Sequence, residues 1–296
     1  MIYQEYLNAF LARFDYPEDA RTDLGAALDT LLACPEAKDT LNALLASYAV
    51  DPTVDFSVLA EKCEVITRAS GLHCYVTDLL VLILLSMESQ AHYAAAGIDE
   101  DMWQENMMDI KYKAVECKLI KGIWGTFVFA WFSRFFHVTR FSFGPLQFET
   151  VKLRKPYTKN GVTYPVDTVA VNVHIPRTGK RLTPALAEDS FRAAEAFFKD
   201  RYGISPVIFV CESWLLFPRN LSILKPESNL YSFISRFEVI ESGEYDTYGS
   251  VWRLFDADYN GNPDALPQDT SLRRAYVEIM KKGEPLGWAY GAFILE

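Results

Sequence analysis

Apolar residues follow helical spacing through the first part of the chain and a mixed spacing after Arg134. Ile2, Tyr6, Phe10 and Phe14 recur at every fourth position, and Leu24, Leu28, Leu31 and Leu32 form a second stripe that stops near Cys34-Pro35. A third helix is expected on Leu41, Leu44, Leu45 and Tyr48, and a fourth on Val58, Leu59 and Val65 up to Gly71. The segment from Val76 to Ala95 is apolar nearly all round at its start, as the central helix of a bundle must be. Asp99-Glu100-Asp101 then opens a further helix bearing Met102, Trp103, Met107 and Met108, whose spacing reads as core packing and not as a ligand site. An all-helical domain over residues 1–138 is the expectation.

Over residues 139–296 the period changes. Phe141 to Glu149 reads as a strand interrupted at Gly144-Pro145, and Val151 to Arg154 extends it. Asn160-Gly161 is a hairpin signal, so Thr139 to Lys155 is expected to pair antiparallel with Val166 to Ile175. In the latter, Val169, Val171, Val173 and Ile175 alternate with Ala170, Asn172 and His174. A helix from Thr183 to Asp200 carries the stripe Ala187, Phe191, Ala194 and Phe198, and Pro206 to Leu216 is apolar enough for a central strand. Strand, loop, helix, strand is a βαβ-type unit. A short helix from Ser228 and strands at Phe237–Ile240, Val251–Phe255 and Trp288–Ile294 complete an α+β fold: a helical domain followed by a mixed sheet domain.

Charge divides the chain the same way. The net charge is −10, but residues 1–116 alone carry −13 and the remainder +3. Between Thr150 and Ala185 lie seven basic side chains against the single acid Asp167. Such a field favours a small polyanionic ligand, against the plainer reading of a solvated charge run. The field centres on Pro176-Arg177-Thr178-Gly179-Lys180-Arg181-Leu182-Thr183, between a strand and a helix whose N-cap is Thr183 and whose first position is Pro184. Backbone N–H groups, the positive end of the helix dipole, a permissive glycine and cationic side chains meet there, so an anion is the expected occupant. A phosphate-binding P-loop is excluded, because Gly179-Lys180 is followed by Arg and lacks the preceding glycine.

Further classes are narrowed by composition. Five cysteines without a C-x-x-C pair argue against a disulfide framework and against a zinc site, and no metal is expected. The N-terminus lacks the pattern of an export signal, and Leu79–Leu85 and Gly122–Phe132 fall short of the roughly 18 to 20 residues of a membrane span. A cytoplasmic protein that binds neither membrane nor nucleic acid is expected. Asp256-Ala257-Asp258-Tyr259-Asn260-Gly261-Asn262 imitates half a calcium loop, but its twelfth position is Pro267, so an Asn-Gly hairpin turn is the preferred reading.

The chain resembles the two-domain bacterial N-acyltransferases, with a helical N-terminal domain and a GNAT-like C-terminal domain. The residues that carry the resemblance are Phe143 to Glu149, then Val173-His174-Ile175-Pro176 leading to Gly179 and Leu182-Thr183-Pro184. Downstream they are Cys211 to Leu216, Ser228-Asn229-Leu230 with Arg236-Phe237, and Leu266 to Ala275. The resemblance implies acetyl-coenzyme A or another acyl-coenzyme A as co-substrate and a small-molecule or peptide amine as acceptor. It also implies that the loop Arg177, Thr178, Gly179, Lys180, Arg181, Leu182 and Thr183 holds the pyrophosphate. That loop departs from the family's R/Q-x-x-G-x-G/A pattern, having one glycine, a position earlier than the pattern's first.

Acyl transfer from a thioester to an amine needs a base for the ammonium and a donor toward the developing oxyanion. Glu212, at the end of an apolar strand, is the first candidate base, on the expectation that partial desolvation tunes it; the alternative is a carboxylate already emerging into solvent. His174, on the strand face opposite the valines, is the second. Tyr231 stands where the resemblance implies a tyrosine acid. Ser213 is a candidate oxyanion or water-relay donor, and neither it nor Cys211 has the partners of a covalent triad. The rival function is a non-catalytic protein that uses the same fold to bind acyl-coenzyme A or a partner.

Overall fold

The computed structural model describes residues 2–179 and 181–295 and divides into two compact units, residues 1–141 and 142–296. The first is helical: α1 (Ile2–Arg13), α2 (Glu18–Ala33), α3 (Pro35–Val50), α4 (Phe56–Ser70), α5 (Cys74–Ala95), α6 (Glu100–Lys121) and, after a 3-10 turn at Phe129–Phe132, the short α7 (Ser133–Phe136). Local chemistry sets the ends. Asp55 and Asp99 accept from the N–H groups of Ser57 and Met102 at the starts of α4 and α6, and left-handed Gly71 and Gly122 close them.

Most of the expected stripes form the core. Leu24, Leu28, Leu31, Leu41, Leu44 and Tyr48 are fully buried, as is every residue from Leu79 to Leu85. Two positions depart. Ile2 and Val58 are exposed, because each lies in the first turn of its helix and the burying face is set by Leu7, Phe10 and Leu11 in α1 and by Phe56, Leu59, Cys63 and Ile66 in α4. The apolar stretch that looked short for a membrane span belongs to a longer helix. By length and composition α5, with 22 residues, could cross a membrane, yet Leu79–Leu85 is wholly enclosed by the other helices, as in a core helix.

In the second unit the chain forms a six-stranded sheet in the order β1-β2-β5-β6-β8-β7 and a separate two-stranded hairpin. The strands are β1 (Arg140–Phe143), β2 (Leu146–Lys152), β3 (Tyr157–Lys159), β4 (Val162–Tyr164), β5 (Val169–His174), β6 (Ile208–Ser213), β7 (Glu238–Glu244) and β8 (Gly287–Ile294). The helices are α8 (Pro184–Tyr202), α9 (Arg219–Ile223), α10 (Asn229–Ile234), α11 (Trp252–Phe255) and α12 (Ser271–Lys281). β2 and β5 pair antiparallel as expected, and β5–α8–β6 is the expected parallel crossover. Ala187, Phe191, Ala194 and Phe198 of α8 are all buried, with Phe191 packed on Phe148, Phe209 and Phe293 of the sheet at ring separations of 5.7, 5.0 and 4.9 Å.

Four readings are corrected. Gly144-Pro145 is the tight turn between β1 and β2, with Gly144 at φ +59°, and not a break within one strand. Asn160-Gly161 closes the hairpin of β3 and β4, which is inserted between β2 and β5. Val251–Phe255 is not a strand: Val251 and Phe255 stand one helical turn apart and share a core with Tyr276 and Val277 of α12, so burial of that face selects a helix over β propensity. The segment 256–262 is no hairpin turn. Asn260 Oδ1 accepts from the N–H of Asn262, whose own side chain caps a 3-10 turn at Pro263–Ala265.

Candidate active site

Strand alternation places the polar residues of the sheet. Glu149 faces Asn172 across β2 and β5, Gln147 faces His174, Asn172 faces Val210 across β5 and β6, and Glu212 faces Tyr290 across β6 and β8. These residues therefore share the sheet face opposite α8. The hairpin covers one half of that face, where Tyr157 packs with Ala170, Ile208 and Val210. The polar residues occupy the other half, toward the C-terminal ends of β5 and β6. There the two parallel strands part: among the described residues their ladder joins Val171 to Phe209 and Asn172 to Val210, although β5 runs on to His174 and β6 to Ser213. An opening between the ends of two central parallel strands is where α/β sheets expose backbone groups to a ligand.

His174 is held there by Glu149. Its Nε2 lies 2.8 Å from Glu149 Oε1, with the glutamate side chain only 7% exposed and the histidine 20%. A carboxylate accepts, so Nε2 carries the hydrogen and Nδ1 the lone pair. The Asn172 amide lies beside them, its Nδ2 donating to Glu149 Oε1 at 3.5 Å. This is the arrangement of an oriented base: a histidine whose tautomer and rotation are fixed by a buried carboxylate.

Glu212 shares the face but lacks the expected burial. Its side chain is 47% exposed and ion-paired with Arg154, whose guanidinium also stacks 4.4 Å from the ring centre of Tyr290. Burial holds the Tyr290 hydroxyl above the usual phenol range, which keeps it protonated and able to donate. Ser213 points to the opposite face with Phe209 and Cys211, and its hydroxyl oxygen accepts from the N–H of Leu215. Tyr231 belongs to α10, which packs on the α8 side of the sheet through Phe233 and Phe191. The fold thus places His174 and Glu212 on one face of adjacent strands and sets Ser213 and Tyr231 elsewhere. The buried Cys211 thiol is pushed up to about 12, chiefly by desolvation, which makes it a poor nucleophile.

The loop after β5 fits an anion in most of its parts. Gly179 is left-handed at φ +75°, with open space where a side chain would begin. Thr183 caps the 19-residue helix α8, its Oγ1 accepting from the N–H of Leu186 at 3.3 Å. Arg181 is exposed and Leu182 half-buried. Thr178 turns back, its N–H donating to the carbonyl of Pro176 at 3.0 Å. Lys180 lies outside the described residues. Arg177 is spoken for: it pairs with Asp256, which also accepts from Arg273 at 2.5 Å. Its role in this geometry is to tether the loop to the segment between α11 and α12. A second clamp, Arg236 with Glu188 at 2.5 Å, ties the end of α10 to the first turns of α8 and, by that hydrogen bond above all, lowers the Glu188 carboxyl below its usual range.

Local sequence pattern does not single out Glu149, Asn172 and Tyr290, which stand on this face beside His174 and Glu212. The available signal was two polar residues, Gln147 and Glu149, alternating with the apolar Leu146 and Phe148 in a buried strand. Both apolar and polar members of that strand are buried, so the polar ones need partners in the fold.

The fold and this arrangement define an acyltransferase-type architecture. Residues 5–138 match the family described as N-acyltransferase N-terminal domain, and residues 141–293 match that described as GNAT-like C-terminal domain. The chain belongs to this two-domain N-acyltransferase family. No curated protein matches its sequence. Among solved structures, it is similar to an acyltransferase in complex with decanoyl-CoA and teicoplanin, at a TM-score of 0.73 and 18% identity over 98% of this chain and 87% of that one. A mutant acyltransferase in complex with octanoyl-CoA gives 0.74 and 18% over 99% and 88%. At that identity the likeness speaks to the fold.

Proposed function

We propose that the protein is an N-acyltransferase that moves an acyl group from a coenzyme A thioester to an amine on a small molecule or peptide. The observation that carries the catalytic part is the 2.8 Å contact between His174 Nε2 and the buried carboxylate of Glu149 at the parting of β5 and β6. Membership of the family supports the reaction class, and the acyl-CoA and teicoplanin held by structures of the same fold support the co-substrate and the acceptor class. The co-substrate supplies an activated carbonyl. Backbone groups around Gly179, the N-terminus of α8 and Arg181 would hold its pyrophosphate. His174, through Nδ1, takes the proton from the acceptor ammonium while Glu149 steadies the imidazolium that results. Glu212 with Arg154 shapes the polar rim on the same face, where a cationic acceptor is drawn in.

The test combines binding with turnover. A coenzyme A thioester that binds the folded chain raises its melting temperature by mass action. Mass spectrometry with an amine panel then asks whether acylated product and free coenzyme A form together. Stabilisation by thioesters without product from any amine would favour the rival reading of a binding protein, and no stabilisation at all would remove the acyl-coenzyme A reading.

A further inference from the structure

The helical unit carries a half-open pocket of about 360 Å³ lined by α4, α5 and the turn at Phe129, with Glu64, Arg68 and Cys74 exposed at its mouth. Its wall is chemically divided. Ala60 and Phe129 give it an apolar side, while Glu64, Thr67 and Arg68 of α4 and Asp78 of α5 give it a charged one. Glu64 and Arg68 stand four residues apart on one helix, a spacing at which opposite charges ordinarily pair, yet neither has an ion-pair partner among the described residues. Thr67 Oγ1, on the same wall, is buried and has no hydrogen-bond partner among them. The hydrogen-bond partner of Asp78 among the described residues is the Cys63 thiol, a weak donor. The cavity thus offers two carboxylates and an orphaned hydroxyl for a cation, one guanidinium for an anion, and an apolar wall.

We propose that this cavity binds a small zwitterion of the aliphatic α-amino acid type, its ammonium between Glu64 and Asp78, its carboxylate on Arg68 and its side chain against Ala60 and Phe129. The two carboxylates repel each other without such a cation, and the spacing of Glu64 and Arg68 leaves both ends of the ligand with a partner of opposite sign. A volume at the lower end of the usual ligand-pocket range fits a molecule of this size. The site lies within one unit and is independent of the acyl-transfer reading.

Asp78 supplies a signature. Burial first, and Glu64 after it, push its carboxyl up to about 7, against the opposing hydrogen bond from Cys63. The other titratable groups facing it are Cys63, Glu64 and Arg68 on α4 and Cys74 on α5. Binding of the ammonium should therefore strengthen as the pH rises from 6 to 8 and Asp78 ionises.

Isothermal titration of the full chain with leucine, isoamylamine and isovalerate tests the proposal. Leucine should bind at pH 8 more tightly than either half-ligand and lose tenfold or more in affinity in Arg68→Gln and in Glu64→Gln. Both residues are exposed enough to be replaced without unfolding the chain. Isoamylamine should be indifferent to Arg68→Gln. As a second readout, leucine should slow iodoacetamide alkylation of Cys74, an exposed thiol on the cavity wall. Absence of leucine binding together with unslowed alkylation overturns the site, as does leucine affinity unchanged in both variants. Isoamylamine binding as tightly as leucine overturns the zwitterion assignment.

Discussion

A single contact separates the two candidate bases. His174 has a buried carboxylate behind it, whereas Glu212 is half-exposed and already paired with Arg154. His174→Gln is therefore expected to lower turnover by roughly 10²- to 10⁴-fold, the usual worth of a positioned base, with thioester binding nearly unchanged. Glu149→Gln should lower it less and alter the pH–rate profile, because the ring keeps a partner but loses the charge that favours its protonated form. Glu212→Gln should retain most activity toward a neutral-bodied amine. Steady-state rates of the three variants across pH decide the matter; a Glu212→Gln loss as large as that expected for His174→Gln would return the role of base to the glutamate. At this scale the sequence made both residues visible and ranked them by an assumed burial that the fold did not provide. Glu149 is separated from His174 by 25 residues, and no local spacing could have joined them.

Between residue and molecule, the element that matters is the join of β5 to α8. Its chemistry was legible: Thr183 caps, Pro184 begins and Gly203 ends the helix as their types require. What local patterning could not reveal is that Arg177 is tethered by Asp256, a residue 79 positions further along the chain. Gly179→Val is expected to weaken coenzyme A binding by an order of magnitude or more while leaving the melting temperature within a few degrees. The left-handed φ of +75° costs a branched residue about 1–2 kcal/mol, and the space around it is open, so the strain is local to the loop. Titration of the variant with coenzyme A checks this, and undiminished binding would move the anion seat elsewhere.

For the whole molecule, the two units keep separate cores and separate electrical characters. The half-buried Asp78 links the helical unit's stability to pH. Its carboxyl goes from an ordinary 3.8 to about 7 on folding, so between those values the folded state holds a proton that the unfolded state has lost. The stability it contributes is full below about pH 4 and is lost as the pH rises through 7. Asp78→Asn, which cannot ionise, should thus gain in melting temperature over the native chain at pH 8 relative to pH 5. Calorimetric scans of both at the two pH values give the difference directly, and a gap that is the same at each pH would mean that Asp78 is ionised throughout.

The sequence by itself determined the helical stripes of the first unit, the βαβ crossover with its capped helix, the central place of β6 and the cationic loop, because each rests on neighbours within one turn or one strand. The resemblance carried by Phe143–Glu149, Val173–Pro176 and Leu266–Ala275 extended this to the family. Tertiary structure alone decided which positions of a stripe face inward, as at Ile2 and Val58, and that Val251–Phe255 would be a turn of helix against α12. It alone decided which polar residues meet. Glu149, His174 and Asn172 come together because β2 and β5 are adjacent in antiparallel register, and register between distant strands is fixed by the packing of whole faces, not by the residues it brings into contact.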